Sequence, residues 1–192
     1  MEYLIFVSDG TVTIASELSS EYWVKIWRPS ITRVIPPTLG PKFIFWWLFH
    51  YLKIFRNRDY AVLLIGVGDL IIHRSCIIPA YFRWPFMNFN DCQISSTWTH
   101  PDFRGKGLAT IGLKKAIQIY AKPNRCFWYV SRKNNPASIC VCKKAGFSLF
   151  GTGRRIKRMG TKLLGMLVID DEIDCALDCS KYISINCIGK ND

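Results

Sequence analysis

The stretch from Gln93 to Tyr120 constrains the fold more than any other part of the chain. Gln93-Ile94-Ser95-Ser96-Thr97-Trp98-Thr99 reads as a strand. His100-Pro101-Asp102-Phe103-Arg104-Gly105-Lys106-Gly107 reads as a loop. Leu108 to Tyr120 then places Ala109, Leu113, Ala116, Ile117 and Tyr120 on one helical face, with Lys114, Lys115 and Gln118 on the other. This order aims the free amides of the helix's first turn, and the positive end of its dipole, at whatever the loop holds. Two glycines let the backbone approach a ligand closely, and Arg104 and Lys106 add positive charge. The combination predicts a diphosphate-binding turn. It fits neither GxxxxGK[ST] nor GxGxxG, so the mononucleotide and dinucleotide phosphate loops fail as explanations.

Other apolar runs bounded by turn residues predict strands at Tyr3 to Val7, Trp23 to Trp27, Ala61 to Val67, Leu70 to Ile78, Phe127 to Val130 and Leu163 to Ile169. Gly66-Val67-Gly68-Asp69 lies between two of them and predicts an antiparallel hairpin. Pro136 to Ala145, with Pro at its start and Gly146 just past its end, predicts a second helix, and Pro41 to Phe55 a third. Strands interspersed with helices give an α/β (α+β) sandwich. At 192 residues, 49% hydrophobic and 14% aromatic, the chain is one domain's worth and is not a disordered protein.

Eight cysteines raise the question of disulfides or zinc. Cys140 and Cys142 are two apart, Cys175 and Cys179 four apart, and Cys76, Cys92, Cys126 and Cys187 stand alone. There is no CxxC pair, and His50, His73 and His100 lack finger spacing, so no metal site is expected. MEYLIFVSDG has no basic n-region or small-residue cleavage site, and reduced thiols in a cytoplasmic protein are the expectation.

Arg104-Gly105-Lys106-Gly107-Leu108-Ala109 fits an R/Q-x-x-G-x-G/A loop. Asn135-Pro136-Ala137-Ser138-Ile139, followed by Lys143-Lys144-Ala145-Gly146-Phe147, fits an N-x-x-S/A segment ending in K-x-G-F. In these two motifs, in this order, the chain resembles the GNAT superfamily of acetyl-CoA-dependent N-acetyltransferases. The motif-bearing likeness runs from about Ile94 to Phe147; the earlier part matches only in its general order of elements. The resemblance implies the GNAT fold, a mixed central sheet splayed between the family's fourth and fifth strands and flanked by helices. It implies one acetyltransferase domain over residues 1–169, followed by an acidic tail, 170–192.

It also implies acetyl-CoA as cosubstrate and no metal. Thr97, Trp98 and Thr99 hold the fourth-strand positions that meet the pantetheine arm. Arg104, Gly105, Lys106, Gly107, Leu108, Ala109 and Thr110 would hold the diphosphate, each neutral hydrogen bond gaining about 0.5–1.5 kcal/mol. Asn135 would hold the pantetheine arm. Ser138 is either a further contact or a solvent-facing residue of the helix's first turn. The Thr99 amide would stabilise the oxyanion.

The chain departs from the pattern twice. Where many relatives carry a Tyr as general acid it has Cys142, which reads either as that acid or as a small buried filler. Where relatives that acetylate protein lysines often carry a Glu it has Gln93, which cannot take a proton. The base is then His73, Asp91, His100 or water, and His73 is also readable as a hydrogen-bonded strand residue.

The acceptor is the least constrained element. Pro41 to Phe55 is too short to span a bilayer; it reads as a buried helix, a membrane-interface helix or a wall of the acceptor pocket. Pro79 to Asn90 carries five aromatics, which suit a sugar ring or a lipid better than a lysine peptide. Residues 103–169 hold 15 basic residues and no acidic one, whereas 1–102 hold 9 basic and 8 acidic. Positive charge confined to the half with the cofactor motifs points to coenzyme A phosphates rather than to nucleic acid, with a surplus for an anionic acceptor such as a nucleotide sugar or for a membrane. The family resemblance adds a nucleotide-linked amino sugar of surface polysaccharide biosynthesis as an acceptor of this kind. A protein N-terminal or lysine amine is the alternative acceptor. The enzyme is expected in the cytoplasm, with peripheral contact at the inner face of the membrane left open, and a non-catalytic basic protein binding nucleic acid or anionic membrane is the contrasting class.

Overall fold

The computed structural model describes residues 2–12, 18–158 and 160–172. Eight strands form one mixed sheet: β1 (Glu2–Ser8), β2 (Tyr22–Trp27), β3 (Ala61–Val67), β4 (Leu70–Pro79), β5 (Cys92–Thr99), β6 (Phe127–Arg132), β7 (Ser148–Arg158) and β8 (Thr161–Glu172). Among the described residues three α-helices interrupt the strands: α1 (Ile44–Tyr51), α2 (Leu108–Tyr120) and α3 (Pro136–Lys144). The spatial order is β2-β3-β4-β5-β6-β1-β7-β8. The α/β class and the splayed sheet are both present.

Most elements lie where the apolar pattern puts them. β3 and β4 form the expected hairpin, with Val67 opposite Leu70 across a Gly68-Asp69 turn. Three expectations are corrected. β7 carries no clean apolar alternation, because two glycines and four cationic residues fall within it, and the pattern alone passes over it. The segment 41–55 is a short turn at Pro41–Phe43 and then a helix only eight residues long, which ends before Lys53 turns left-handed at φ 56°. Nor is that helix buried: Trp46 and Phe49 pack edge-on to Tyr81, while Phe45 and Leu52 face outward, 54% and 66% exposed. β8 runs on through Asp170, Asp171 and Glu172, and the acidic residues after it lie outside the described residues.

The sheet separates two cores. On one face α2 and α3 cover Phe6, Ile65, Ile72, Ile94 and Phe127 with Leu108, Leu113, Ile117 and Cys142. Each fully buried aliphatic side chain contributes about 1.5–3 kcal/mol. On the other face Ile5, Val62 and Trp128 pack against the aromatic segments around Phe55, Tyr60, Tyr81 and Trp84. The N-terminal strand is not at an edge: β1 is inserted between β6 and β7, antiparallel to both. No described helix is long and apolar enough to cross a membrane.

Candidate functional site

β5 and β6 run parallel and pair only at Cys92 with Phe127 and Gln93 with Trp128. Beyond that point they diverge, and their facing backbone groups are left without a strand partner. The closed end of the wedge is clamped by buried polar groups. Asp91 accepts from the Cys126 amide at 3.0 Å, the Trp128 indole at 2.8 Å and the Asn88 amide at 2.8 Å. Arg125 donates to the carbonyls of Asn90 and Tyr120 and pairs with Asp59. Asp91 is therefore a structural acceptor, not the base, and Arg125 is a structural member of the basic block.

A bulge re-aims the open half of β5. Between the pairs Cys76–Ser95 and Arg74–Trp98, β4 contributes one residue and β5 two, with Ser96 left-handed at φ 49°. After the bulge His100 donates its amide to the Ile72 carbonyl at 2.8 Å. Successive amides along a strand point to opposite edges, so those of Thr97 and Thr99 turn toward the gap.

The gap continues into a groove of about 600 Å³ lined from β5 (Thr97, Trp98, Thr99), the loop and α2 (Arg104, Gly105, Gly107, Leu108, Ala109, Thr110), and α3 (Asn135, Ser138). Every expected cofactor residue is brought together there except Lys106. Its ammonium lies 4.7 Å over the Phe103 ring and faces an adjoining cavity shared with Gly107, Leu108, Thr110 and Lys144. Gly105 and Gly107 are left-handed, at φ 79° and 76°, and a Cβ added at either would meet nothing within 4 Å. That turn precedes a 13-residue helix whose first intrahelical bond is Ile111 to Gly107, so the amides of Leu108, Ala109 and Thr110 have no acceptor within α2. The left-handed turn and the helix start form a concave row of amides suited to a diphosphate. Coenzyme A fits this donor set, with the loop for its diphosphate and the unpaired strand edge for its pantetheine arm. Asn135 caps α3, accepting from the Ser138 amide at 3.2 Å and donating to its hydroxyl at 3.0 Å, which fixes both residues at the groove wall.

A second cavity, about 350 Å³, meets the groove at Thr97, Tyr129, Asn135 and Ser138 and is further lined by Tyr3, Ser95, Ser96, Arg132 and Arg155. Tyr129 stands at the junction. Burial pushes its phenol up, opposed by hydrogen bonds from the Ser138 and Thr97 hydroxyls. Sequence reasoning missed it, since Phe127 to Val130 reads only as an apolar strand. Period-two alternation, which turns Tyr129 to the face opposite Trp128, was the available signal.

The catalytic candidates fare differently. Thr99 lines the groove, and its carbonyl accepts from the Arg104 side chain at 3.3 Å, tying the loop to β5. Cys142 lines neither cavity. It lies fully buried under α3, away from the groove and the second cavity, so it cannot hand a proton to a group held in either, and the filler reading replaces the general acid. His73 is also fully buried and lines neither cavity. Its Nδ1 is 2.9 Å from the Thr99 hydroxyl and its Nε2 3.0 Å from that of Ser75. Burial, with the charge of Arg74, lowers its pKa to about 4. A weak base walled off by α2 is a strand-packing residue, and the base role is withdrawn. His100 caps the turn after β5 and lines neither cavity, and Gln93 is buried at the clamp. No carboxylate or imidazole among the described residues lines the groove or the second cavity. No group of three metal-ligating side chains occurs among the described residues.

A family model described as acetyltransferase (GNAT) family matches residues 21–147. That span holds the wedge, the loop and both motifs, and leaves out β1, β7 and β8. The sequence finds no match among curated proteins. Solved structures are similar in fold. A Drosophila protein shares 13% identity over 79% of this chain and 48% of its own, with a TM-score of 0.53. A GCN5-related N-acetyltransferase from Sphaerobacter thermophilus shares 15% over 79% and 49%, at 0.50. A GNAT-family acetyltransferase from Novosphingobium aromaticivorans shares 16% over 79% and 60%, at 0.48. The chain thus spans about half to three-fifths of the length of these structures.

Proposed function

The chain belongs to the acetyltransferase (GNAT) family, and on that premise we propose that it moves an acetyl group from acetyl-CoA to a primary amine by direct attack within the gap between β5 and β6. One observation carries this reading: the amide-lined groove and the second cavity enter the gap separately and meet at Thr97, Tyr129, Asn135 and Ser138. Two reactants approaching separately can be held at one point without displacing each other, which is what transfer without an acyl-enzyme requires.

Bound acetyl-CoA supplies a thioester whose carbonyl the amine attacks and whose sulfur leaves as thiolate. The amides of Thr97 and Thr99 donate into the gap where negative charge gathers during transfer. Tyr129 keeps its phenolic proton at neutral pH and lines both cavities, and on this reading it is the general acid. Among the described residues no carboxylate or imidazole lines the site, and on this reading water takes the amine's proton. The acceptor class is an amino sugar, free or nucleotide-linked, received from the face that carries the aromatic segments.

Thermal denaturation with millimolar acetyl-CoA tests the cofactor half, and thiol release against a panel of amino sugars, polyamines and peptides tests the transfer. A ligand at one hundred times its Kd adds about 2.7 kcal/mol of stability, a readily measured rise in Tm. A protein whose Tm ignores acetyl-CoA is not this enzyme, and the non-catalytic reading would take its place.

A further inference from the structure

The second cavity contains two arginines that pair with no acid among the described residues. β1 sets Tyr3 opposite Arg132 on one side and Gly153 on the other, and Arg155 is two residues beyond Gly153. Residues directly opposite each other, or two apart on one strand, share a face. Tyr3, Arg132 and Arg155 therefore project together on the face away from α2 and α3, and they line the cavity with Ser95 and Ser96. The Arg155 guanidinium lies 5.2 Å over the Tyr3 ring, which holds it in place without neutralising it.

Several other cations of the basic block are paired with carboxylates. Lys133 pairs with Glu2 at 3.0 Å, Arg154 with Asp170 at 3.3 Å, and Lys122 and Arg125 with Asp59. Among the described residues, no carboxylate pairs with Arg132 or Arg155. Two guanidinium forks lacking an acid, in a cavity that opens onto the transfer point, are a receptor for a planar or tetrahedral oxyanion. Beyond them, Arg155 and Tyr3 also border a further cavity of about 340 Å³, which Arg83, Trp84 and Lys157 line as well.

We infer that the acceptor is an amine that also carries a phosphate or carboxylate, and that Arg132 and Arg155 bind that oxyanion while Ser95 and Ser96 offer hydroxyl donors. This rests on the acetyl-transfer reading for where the amine goes, but the anion site itself does not depend on turnover.

The test uses matched amines: ethanolamine against O-phosphoethanolamine and β-alanine, and glucosamine against glucosamine 1-phosphate. An acidic member of a series should have a kcat/KM at least about tenfold above its neutral partner, and the preferred acid identifies the oxyanion. In Arg132→Gln and Arg155→Gln the advantage should shrink below about twofold, with the acetyl-CoA thermal shift unchanged. A second arm needs no turnover. With coenzyme A in excess, inorganic phosphate and pyrophosphate should raise the Tm of the wild type, and the double variant should lose that rise. Equal use of neutral and acidic amines, or anion binding that survives the double variant, overturns the inference and leaves acetyl transfer standing. A missing acetyl-CoA shift overturns the transfer reading alone, since the wild-type and double-variant comparison still decides the anion site.

Discussion

On the proposed reading the general acid is Tyr129, and Cys142, readable in the sequence as acid or filler, is the filler. A general acid must reach the leaving sulfur, and of these two residues Tyr129 lines both cavities whereas Cys142 lines neither. Tyr129→Phe should lower kcat about 100-fold with little change in the acetyl-CoA thermal shift, whereas Cys142→Ala should leave kcat within about twofold. Steady-state thiol release on the two variants separates them. His73 carries a stability prediction instead. Its folded-state pKa near 4 lies below the 6.5 of an exposed imidazole, so between those values the unfolded chain binds a proton that the folded protein refuses. The contribution is complete above pH 6.5 and is lost as pH falls toward 4, about 3 kcal/mol in all. Wild-type stability should fall with acid more steeply than that of His73→Gln, as urea titrations across this window would show. Equal slopes would mean that the imidazole titrates freely.

At the scale of elements, α2 is held against the sheet by a close approach. A Cβ at Gly112 would lie 2.2 Å from His73 Nε2, so the helix seats directly on the imidazole. Gly112→Ala normally gains helix propensity, yet here it should cost about 1–3 kcal/mol through overpacking, and shortening the partner with His73→Ala should recover part of the loss. A double-mutant cycle by urea denaturation measures the coupling. Because α2 also presents the amides of Leu108, Ala109 and Thr110, the same substitution should weaken acetyl-CoA binding. Helix and loop were legible in the sequence because their signals are contiguous: an apolar stripe, two glycines and flanking cations within residues 104–120. The wedge was not. It depends on Asp91 and Arg125 closing one end, and neither residue stands in a motif.

For the whole molecule, the one-sided distribution of charge becomes a division of labour. Of the basic block in residues 103–169, Arg125, Lys122, Lys133 and Arg154 are paired with carboxylates, while Arg132 and Arg155 open onto the gap. Attraction of anionic reactants into such a half is long-range and screened by salt. KM for acetyl-CoA should rise about fivefold between ~50 and ~500 mM monovalent salt, with kcat nearly constant. A KM indifferent to salt would confine the charge to structural pairing. What the sequence determined by itself was local: the α/β alternation, the amide-lined turn, the second motif at Asn135 to Phe147 and the confinement of charge. Each depends on residues close together in the chain, where propensity and spacing act directly. The tertiary structure alone decided which of those parts meet. It inserted β1 between β6 and β7, bringing Tyr3 beside Arg132 and Arg155, and it turned Tyr129 into the junction while burying Cys142 and His73. Strand neighbours so distant in sequence are chosen by burial and backbone pairing over the whole sheet, and that choice leaves no periodic trace in any one segment.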